Sequence, residues 1–392
     1  GKSALAENTT GTGNVAVGAL ALDASTTYNN NTAIGYKALT AFGPSGASDG
    51  HNIGVGMESL MSLTTGSYNT GVGGRTQTNS TTSDYNVSLG YATLLETTTG
   101  SNNTAVGHKA LLNNTTGVRN VSIGKESLDA NTTGGDNVAV GTSALGANTT
   151  ASNNVAVGYL AMAANTTGTA NTGSGYGALN SNTTADNNTA FGFSALIATT
   201  TGPANTAVGK NAGESITTGA DNTCIGHSTD PNASGGAHQI VIGSGPHGTE
   251  DNQFTFGKGS NLVQNEFDTD ASWTRTSDVR KKRDIKDDTL GLEFINDLRT
   301  VTHKWKPSNE FPEEWNEYSE ENNMNLDAVM HGMIAQEVKG ALDNAGVDTF
   351  TGWKERPDGS QTLSREMFVM PLIKAVQELS VEVEELISKL EE

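Results

Sequence analysis

Ser277 and Lys282 are the residues of this sequence whose types and spacing could carry out a reaction together. They lie five positions apart in segment 276–285, which reads TSDVRKKRDI. A serine hydroxyl becomes a strong nucleophile only when a nearby base takes its proton. Lysine can act as that base when burial or neighbouring cations such as Arg280 and Arg283 lower its pKa. The spacing alone does not separate a catalytic pair from a solvated basic run.

The elements that must position this segment follow from a change in composition near position 272. Residues 1–272 hold most of the glycine and no tryptophan, whereas residues 273–392 contain all four tryptophans and one charged residue in three. We therefore predict two structural units. The expected boundaries are a repetitive shaft over residues 1–257, a connector over 258–276 and a C-terminal domain over 277–392.

Charge and composition exclude several classes of partner. A net charge of -20 leaves no basic stripe for phosphates, so we expect no nucleic-acid partner. Cys224 is the only cysteine and the seven histidines are scattered, so we expect no disulfide, no metal and no cofactor. No apolar run is long enough to span a membrane, and the N-terminus lacks the core of a signal peptide. These features do not support export by a secretion pathway.

A 17-residue unit repeats along the shaft. It reads Asn-x-small-x-Gly, followed by two variable positions, a small residue, usually a leucine, and a turn rich in Thr, Asn and Gly. Every interval between repeat glycines is 17 except the second, which is 21. We place the four extra residues in a loop around 42–45 that leaves the coil register intact. The repeat glycines are Gly18, Gly35, Gly56, Gly73, Gly90, Gly107, Gly124, Gly141, Gly158, Gly175, Gly192, Gly209, Gly226 and Gly243.

This regularity predicts a β-solenoid (β-roll), because each coil can bury its apolar side chains only against the neighbouring coils. In the unit at 137–141, strand alternation separates Val138 and Val140 from Ala139. We place the valines in the interior and the alanine towards solvent or a close neighbouring chain. The leucines should form a second interior row. The asparagines should form an amide ladder, and the glycines tight corners with positive φ or close backbone contact.

The repeat is similar to the β-roll heads of trimeric autotransporter adhesins and to repeats found in phage fibres. The similarity covers about residues 8–257. The period of 17 residues is longer than the usual adhesin coil, and this favours the phage-fibre interpretation.

Four ordered motifs in residues 277–392 resemble the intramolecular chaperone domain of phage tail spikes and fibres, typified by endosialidase tailspikes and classed as a serine peptidase. The motifs lie at 277–285, at 290–295 (LGLEFI), at 332–338 (GMIAQEV) and at 372–379 (LIKAVQEL).

The resemblance implies a Ser-Lys dyad with Ser277 as nucleophile and Lys282 as general base. Only the family spacing favours Lys282 over Lys281. The resemblance also points to a scissile bond beside Ser277, between Ser277 and Asp278. The sequence leaves open the bond between Thr276 and Ser277.

The last helix, expected over about 365–392, carries apolar residues in alternating steps of four and three. This spacing is a heptad seam and predicts a coiled coil that holds three copies together. The alternative is an amphipathic helix packed on its own domain. Pro371 suits a kink or a helix start. The seam residues are Leu372, Val376, Leu379, Val383, Leu386 and Leu390.

The rest of this domain reads as an α+β fold. Residues 300–306 alternate like a strand, and residues 335–342 read as a helix that ends near Gly346. Residues 357–359 form a turn between strands, and the acidic stretch 310–321 reads as an exposed insertion.

Together these features predict a mainly β, trimeric phage tail-fibre or tailspike protein, located in the virion and assembled in the host cytoplasm. Its C-terminal domain drives homotrimer folding and then releases itself by a single self-directed cleavage, with no external substrate. The expected partners are two further copies, other virion tail proteins and a host receptor or glycan.

Two alternative functions stay open. One is a non-phage trimeric surface adhesin. The other is a tailspike depolymerase of polysaccharide, which would require two carboxylates close together. The shaft offers isolated acids such as Asp84, Glu96 and Asp186.

Overall fold

A computed structural model describes residues 1–43, 49–266, 279, 282–315, 318–322 and 326–391. The chain divides into two compact units, residues 1–276 and 277–392. The first unit is a β-solenoid, and the second is a smaller α+β unit that ends in a long helix. The predicted mainly β fold class is therefore confirmed.

Short parallel strands stack along the shaft, one from each coil. Within the described residues, 15 of them form one ladder in chain order. They are β1 Val15–Val17, β2 Thr32–Ile34, β3 Ile53–Val55, β4 Thr70–Val72, β5 Val87–Leu89, β6 Thr104–Val106, β7 Val121–Ile123, β8 Val138–Val140, β9 Val155–Val157, β10 Thr172–Ser174, β11 Thr189–Phe191, β12 Thr206–Val208, β13 Thr223–His227, β14 Ile240–Ser244 and β15 Gln253–Lys258.

The coil register is constant, including at the insertion. Thr32 of β2 pairs with Ile53 of β3, although 21 residues separate them. Phe42 is buried beside Tyr28, with ring centroids 4.6 Å apart. The predicted loop insertion therefore leaves the ladder intact, while residues 44–48 lie outside the described part of the chain.

The asparagine ladder is confirmed. In a representative step, the backbone N–H of Asn137 donates to Oδ1 of Asn120 at 3.0 Å, and Nδ2 of Asn137 donates to the same oxygen at 3.1 Å. Nδ2 also donates to the carbonyl of Ala151 at 2.9 Å. Each buried amide therefore satisfies backbone groups of its own coil turn and of a neighbouring coil.

A second asparagine ladder runs through the turn side of the coils and was not predicted. Nδ2 of each residue donates to Oδ1 of its counterpart one coil earlier, at 2.8–3.0 Å. All of these side chains are fully buried. The ladder consists of Asn114, Asn131, Asn148, Asn165 and Asn182.

The repeat glycines occupy corners that no other residue fits, as predicted. Gly107 has φ 130°. A Cβ at this position would lie 2.6 Å from the carbonyl oxygen of Gly124 in the next coil. Both the positive φ and the close approach of the two backbones therefore require glycine.

The predicted assignment of the two strand faces was wrong. Ala139 is fully buried, whereas Val138 and Val140 are only partly buried on the outer face. The interior is too narrow for valine at most coils: at the equivalent Gly173, an added Cβ would already lie 3.3 Å from Cγ of Met162. Only a hydrogen, a methyl or a similarly small group fits beneath the opposite wall of the coil.

That opposite wall is the predicted leucine row, which is confirmed. Leu111, Leu128 and Leu145 are fully buried and belong to one continuous core cluster. They lie in turn segments with positive φ, 53° at Leu111 for example. A positive φ costs a leucine about 1–2 kcal/mol. The stabilisation from packing each leucine in the row must therefore exceed this cost.

The shaft sheet ends in an antiparallel pair. Strand β15 follows β14 after a shorter coil, with Gly257 paired to Gly243. Strand β16, Asn261–Glu266, then pairs antiparallel with β15. Part of the stretch assigned to a connector is therefore sheet.

The C-terminal unit contains three helices and two small antiparallel sheets within its described residues. Strand β17, Val301–His303, pairs with β18, Met330–Gly332, and β19, Trp353–Glu355, pairs with β20, Gln361–Leu363. The helices are α1 Leu292–Asp297, α2 Ala335–Asn344 and α3 Val369–Glu391, with 3₁₀ turns at Ser308–Glu310 and Arg365–Phe368.

Several local predictions for this unit are confirmed. Helix α2 covers the predicted helix at 335–342, and the turn at 357–359 joins β19 to β20. The strand predicted over 300–306 is shorter, since only Val301–His303 pairs. The stretch predicted as an exposed insertion has no buried residue among its described positions, 310–315 and 318–321, whereas Ser308 just before it is fully enclosed.

Candidate self-processing and assembly site

The residues of the implied dyad lie at the start of the C-terminal unit. Ser277, Asp278 and Lys281 fall outside the described residues, as does Thr276. Lys282 is described, and its side chain is exposed. Its backbone N–H donates to the carbonyl of Val279 at 3.0 Å.

The chain stays exposed after Lys282 until Leu290, which is buried. Leu290 and Phe294 of α1 enter the core of the unit with Phe368. The segment that follows the candidate nucleophile is thus anchored at one end by apolar packing.

Glu378 of α3 fixes the start of α1. Its Oε2 accepts a hydrogen bond from the backbone N–H of Leu292 at 2.7 Å, which satisfies a free donor of the helix N-terminus. The neighbouring Gly291 leaves room for this carboxylate, because a Cβ there would overlap it. The hydrogen bond from Leu292 and the ammonium of Lys374, 3.4 Å away, lower the pKa of Glu378. The contact ties the start of α1 to the seam helix.

Helix α3 has one face committed to its own unit and another left open. Pro371 and Ala375 are buried, and the helix packs on α1. The helix starts at Val369, two residues before Pro371. The first turns of α3 therefore pack on their own unit, as the alternative of an amphipathic helix expects. The seam residues do not take part in this packing and are exposed.

All six predicted seam residues are exposed in the single chain, by 45% to 86% of their surface. Full burial of a leucine or valine side chain is favourable by about 1.5–3 kcal/mol compared with its exposure to water. They are Leu372, Val376, Leu379, Val383, Leu386 and Leu390.

An apolar groove of about 750 Å³ adjoins the first seam residue. It lies between α1, the β17–β18 pair and the 3₁₀ turn that precedes α3. Leu372 forms part of its lining, so the groove and the seam share a residue. The other lining residues are Ile295, Leu298, Thr300, Val301, Thr302, His331, Gly332, Met333, Arg365 and Phe368.

The acids of the shaft hold coils together. Oδ1 of Asp84 accepts the backbone N–H of Ser67 at 2.7 Å, and Asp186 accepts from the backbone of Thr169 at 2.6 Å. Glu96 accepts from Nδ2 of a neighbouring-coil asparagine at 2.7 Å. Each of these carboxylates thus serves a contact between adjacent coils.

Two further shaft acids, missed in the sequence, have a raised pKa. Burial raises the pKa of Asp129, with a smaller contribution from the nearby carboxylate of Glu126. Burial also raises the pKa of Asp230, which accepts two hydrogen bonds from Ser215. Burial, followed by the charge of Asp230, raises the pKa of the Cys224 thiol to about 12. That thiol fills a small-residue position of the interior.

The described residues contain no cluster of three or more side chains suited to a metal ion. Among the helices in that part of the chain, none combines the length and apolar character needed to cross a bilayer.

Comparison with known families identifies part of the C-terminal unit. Residues 277–347 match the Peptidase_S74 family, the chaperone of endosialidase. The match starts at Ser277, the residue assigned as nucleophile from the motifs. It covers less than half of the chain and ends before α3. No curated protein matches the chain.

Sequence reasoning missed the role of Glu378. In the sequence it forms an i,i+4 pair with Lys374, which reads as a solvated ion pair on a helix surface. Its contact with Leu292 joins residues 86 positions apart, and no local pattern signals such a pairing.

Proposed function

We propose that this chain is a subunit of a trimeric phage tail fibre or spike. Its C-terminal unit aligns three copies and then cleaves the chain beside Ser277. The match of residues 277–347 to the endosialidase chaperone family carries this proposal. The exposed seam of α3 supports it, because three such seams can bury one another.

The chaperone role follows from the repetitive shaft. Because each coil resembles its neighbours, chains that associate out of register meet little penalty. A C-terminal trimer aligns the three ends first, and this reduces the search for the correct register. Cleavage afterwards removes the aligning domain, so unfolding becomes difficult to reverse.

The cleavage step needs only groups of the chain and water. The Ser277 hydroxyl attacks a backbone carbonyl carbon while Nζ of Lys282 takes the hydroxyl proton. Lys282 returns that proton to the leaving amide nitrogen, and the C–N bond breaks. Water then hydrolyses the resulting ester.

The position of the cut bond determines which copy supplies the hydroxyl. A hydroxyl reaches the carbonyl of the preceding residue, Thr276, through a five-membered ring. Attack on its own carbonyl would require a four-membered ring, so cleavage between Ser277 and Asp278 calls for a serine from another copy. The second route would make cleavage depend directly on assembly.

Intact mass under denaturing conditions tests the dyad. The wild-type chain should give two fragments whose masses locate the cut bond. Ser277→Ala should stay at full length and still form trimers by light scattering. Lys282→Ala should also stay uncleaved, whereas Lys281→Ala, its matched control, should be processed. Cleavage of Ser277→Ala at the same bond would disprove the assignment.

The virion location and the contacts with host and tail proteins rest on the same proposal. Antibodies raised against the shaft should label tails of phage particles by electron microscopy. Labelling of a cell surface in place of particles would favour the adhesin alternative. Repeatable release of oligosaccharide from a host capsule would favour the depolymerase.

A further inference from the structure

Helix α3 exposes apolar side chains beside the heptad seam as well as within it. Ile373 is 47% exposed in the single chain and directly follows Leu372, so it borders the seam near the start of the helix. The seam places Val376 at heptad position a and Leu372 and Leu379 at position d, which puts Ile373 at position e. In a parallel coiled coil, position e lies next to the neighbouring helix. Ile373 would therefore meet another copy of the chain.

The seam residues alone do not specify three copies. Position a holds valine at 376 and 383, and position d holds leucine at 372, 379 and 386. Valine at a with leucine at d is the pattern that favours two-stranded parallel coiled coils. For an assembly of three copies, contacts beside the seam must therefore contribute.

The apolar groove of the C-terminal unit opens beside the same part of α3. Phe368 and Leu372 both line this groove of about 750 Å³. Because Leu372 is also 47% exposed, the groove is open towards the seam. Phe368 precedes Ile373 by five residues, which is the interval between facing positions g and e of neighbouring parallel helices. Heptad spacing thus places Ile373 of one copy beside Phe368 of another.

Ile373 lies on a different side of α3 from the groove of its own chain. On a helix with 3.6 residues per turn, it is rotated by about 100° from Leu372 and by about 140° from Phe368. Those two residues face the groove, so Ile373 faces away from it. An isoleucine that enters the groove from α3 must therefore come from a neighbouring copy.

The lining of the groove suits an aliphatic side chain. Ile295, Leu298 and Met333 supply apolar surface, and the described lining residues include no carboxylate. Arg365 lies against strand β18, since a Cβ on Gly332 would lie 3.2 Å from a guanidinium nitrogen of Arg365. The groove therefore combines an apolar surface with one full positive charge, and it disfavours a second cation.

We infer that, in the assembled protein, the groove of each copy holds Ile373 of a neighbouring copy. This inference rests on the proposed trimer. The contact is heterologous, because each copy donates Ile373 from one side of α3 and receives the neighbouring Ile373 on the other side. Contacts of this kind close into a ring when the rotation between copies permits it. The contact between copies thus extends from α3 to α1 and the β17–β18 pair.

Cross-linking between copies tests this contact in the full-length chain. Cys224→Ala removes the native thiol, and Ser277→Ala keeps the C-terminal unit attached. In that background, Thr302→Cys places one thiol at an exposed position of the groove lining, and Ile373→Cys places the other on α3. A short bis-maleimide should join these two positions on different copies, and a denaturing gel should show covalent trimers.

Ile387→Cys is the matched control for Ile373→Cys. Ile387 has the same residue type and the same heptad position, and it is 50% exposed. It lies 14 residues further along α3, a distance of about 21 Å. Combined with Thr302→Cys, it should give at least about tenfold less covalent trimer, since a short linker cannot span that distance.

The outcomes separate the inference from the proposed function. A trimer by light scattering without links between Thr302→Cys and Ile373→Cys would overturn the inference and leave the trimer proposal intact. Covalent dimers from a dimeric chain would support the groove contact and overturn the trimer. A monomer would overturn both. Links within one chain would also overturn the inference.

The exposed segment before α1 is the alternative occupant of the groove. Its Ile285 is 65% exposed in the single chain. Ile285→Cys therefore replaces Ile373→Cys in a third double variant with Thr302→Cys. Covalent trimers from this variant, and none from the variant with Ile373→Cys, would assign the groove to that segment and overturn the inference.

A charge substitution at the same position does not depend on the geometry of a linker. Ile373→Lys would bring an ammonium group into an apolar groove that already holds the guanidinium of Arg365. The trimer fraction after refolding should fall by at least about tenfold. Val381→Lys, at a position that is 55% exposed but off the seam, should leave this fraction unchanged. Equal trimer fractions for the two variants would overturn the inference.

Discussion

The shaft and the C-terminal helix both repeat, but their repeats serve different contacts. The 17-residue repeat places each coil against the next coil of the same chain, and its amide ladders and core are complete there. The heptad repeat of α3 leaves its apolar residues exposed in the single chain. A repeat in a solenoid thus builds one chain, whereas a repeat along a single helix calls for other chains.

The largest expected effect tests whether the exposed heptad residues of α3 contact other copies of the chain. Val383→Asp places three carboxylates at one level of the seam in the trimer. Burying each charge should destabilise the trimer by about 2–4 kcal/mol. We expect loss of the trimer and of cleavage together, measured by light scattering and intact mass. Val381→Asp is the matched control, because Val381 is also exposed but lies off the seam. A trimeric, cleaved Val383→Asp chain would refute the coiled coil.

The next effect concerns steric necessity in the shaft. Gly107→Ala combines a strained positive φ with overlap between adjacent backbones, and we expect destabilisation of about 2–4 kcal/mol. In contrast, Gly340→Ala in α2 meets open space and should stabilise the C-terminal unit by about 0.5–1 kcal/mol. Calorimetry that resolves the two units would measure both changes. Equal effects would contradict the corner assignment.

A smaller effect should follow the loss of one ladder amide. Asn137→Ala leaves the backbone N–H of Asn154 without its acceptor, which costs about 1–3 kcal/mol. The carbonyl of Ala151 loses one of its two amide donors and keeps the other, Nδ2 of Asn148 at 3.1 Å. Thr150→Ala on the exposed turn side should change stability by less than about 0.5 kcal/mol. Chemical denaturation of the shaft compares the two variants. If they unfold alike, the ladder is not a source of stability.

The smallest effect is a pH dependence in the C-terminal unit. The pKa of Glu378 is lowered in the folded unit by the Leu292 hydrogen bond and Lys374. The contribution of this carboxylate to stability is therefore fully present above the ordinary pKa of a glutamate and is lost as the pH falls below it, through the lowered pKa of the folded unit. Glu378→Gln should flatten the decline in melting temperature over this range. Glu382→Gln, one turn further along, should retain the wild-type profile.

Local repetition made much of the shaft predictable. The 17-residue period, the asparagine ladder, the leucine row and the glycine corners depend on one residue type recurring at one coil position. Stacking then brings like residues together without further information. The second ladder was equally visible, because Asn131 and Asn148 also lie 17 apart. The second ladder was not predicted, because these asparagines lie in the part of the repeat that was interpreted as a turn.

In the C-terminal unit, local patterns predicted α2, the turn at 357–359 and the seam spacing. The contact between Glu378 and Leu292 depended on the packing of α3 against α1. The dyad assignment stays a prediction, because Ser277 lies outside the described residues.

The sequence by itself determined that each strand has two faces, one of small residues and one of valine, isoleucine or threonine. Only the tertiary structure decided which face is interior. Apolar character favoured valine, but the narrow gap beneath the leucine row admits only small groups, as at Ala139 and Gly173. Steric fit therefore outweighed the gain from burying valine in one chain, and the larger residues were left on the outer side of the strands.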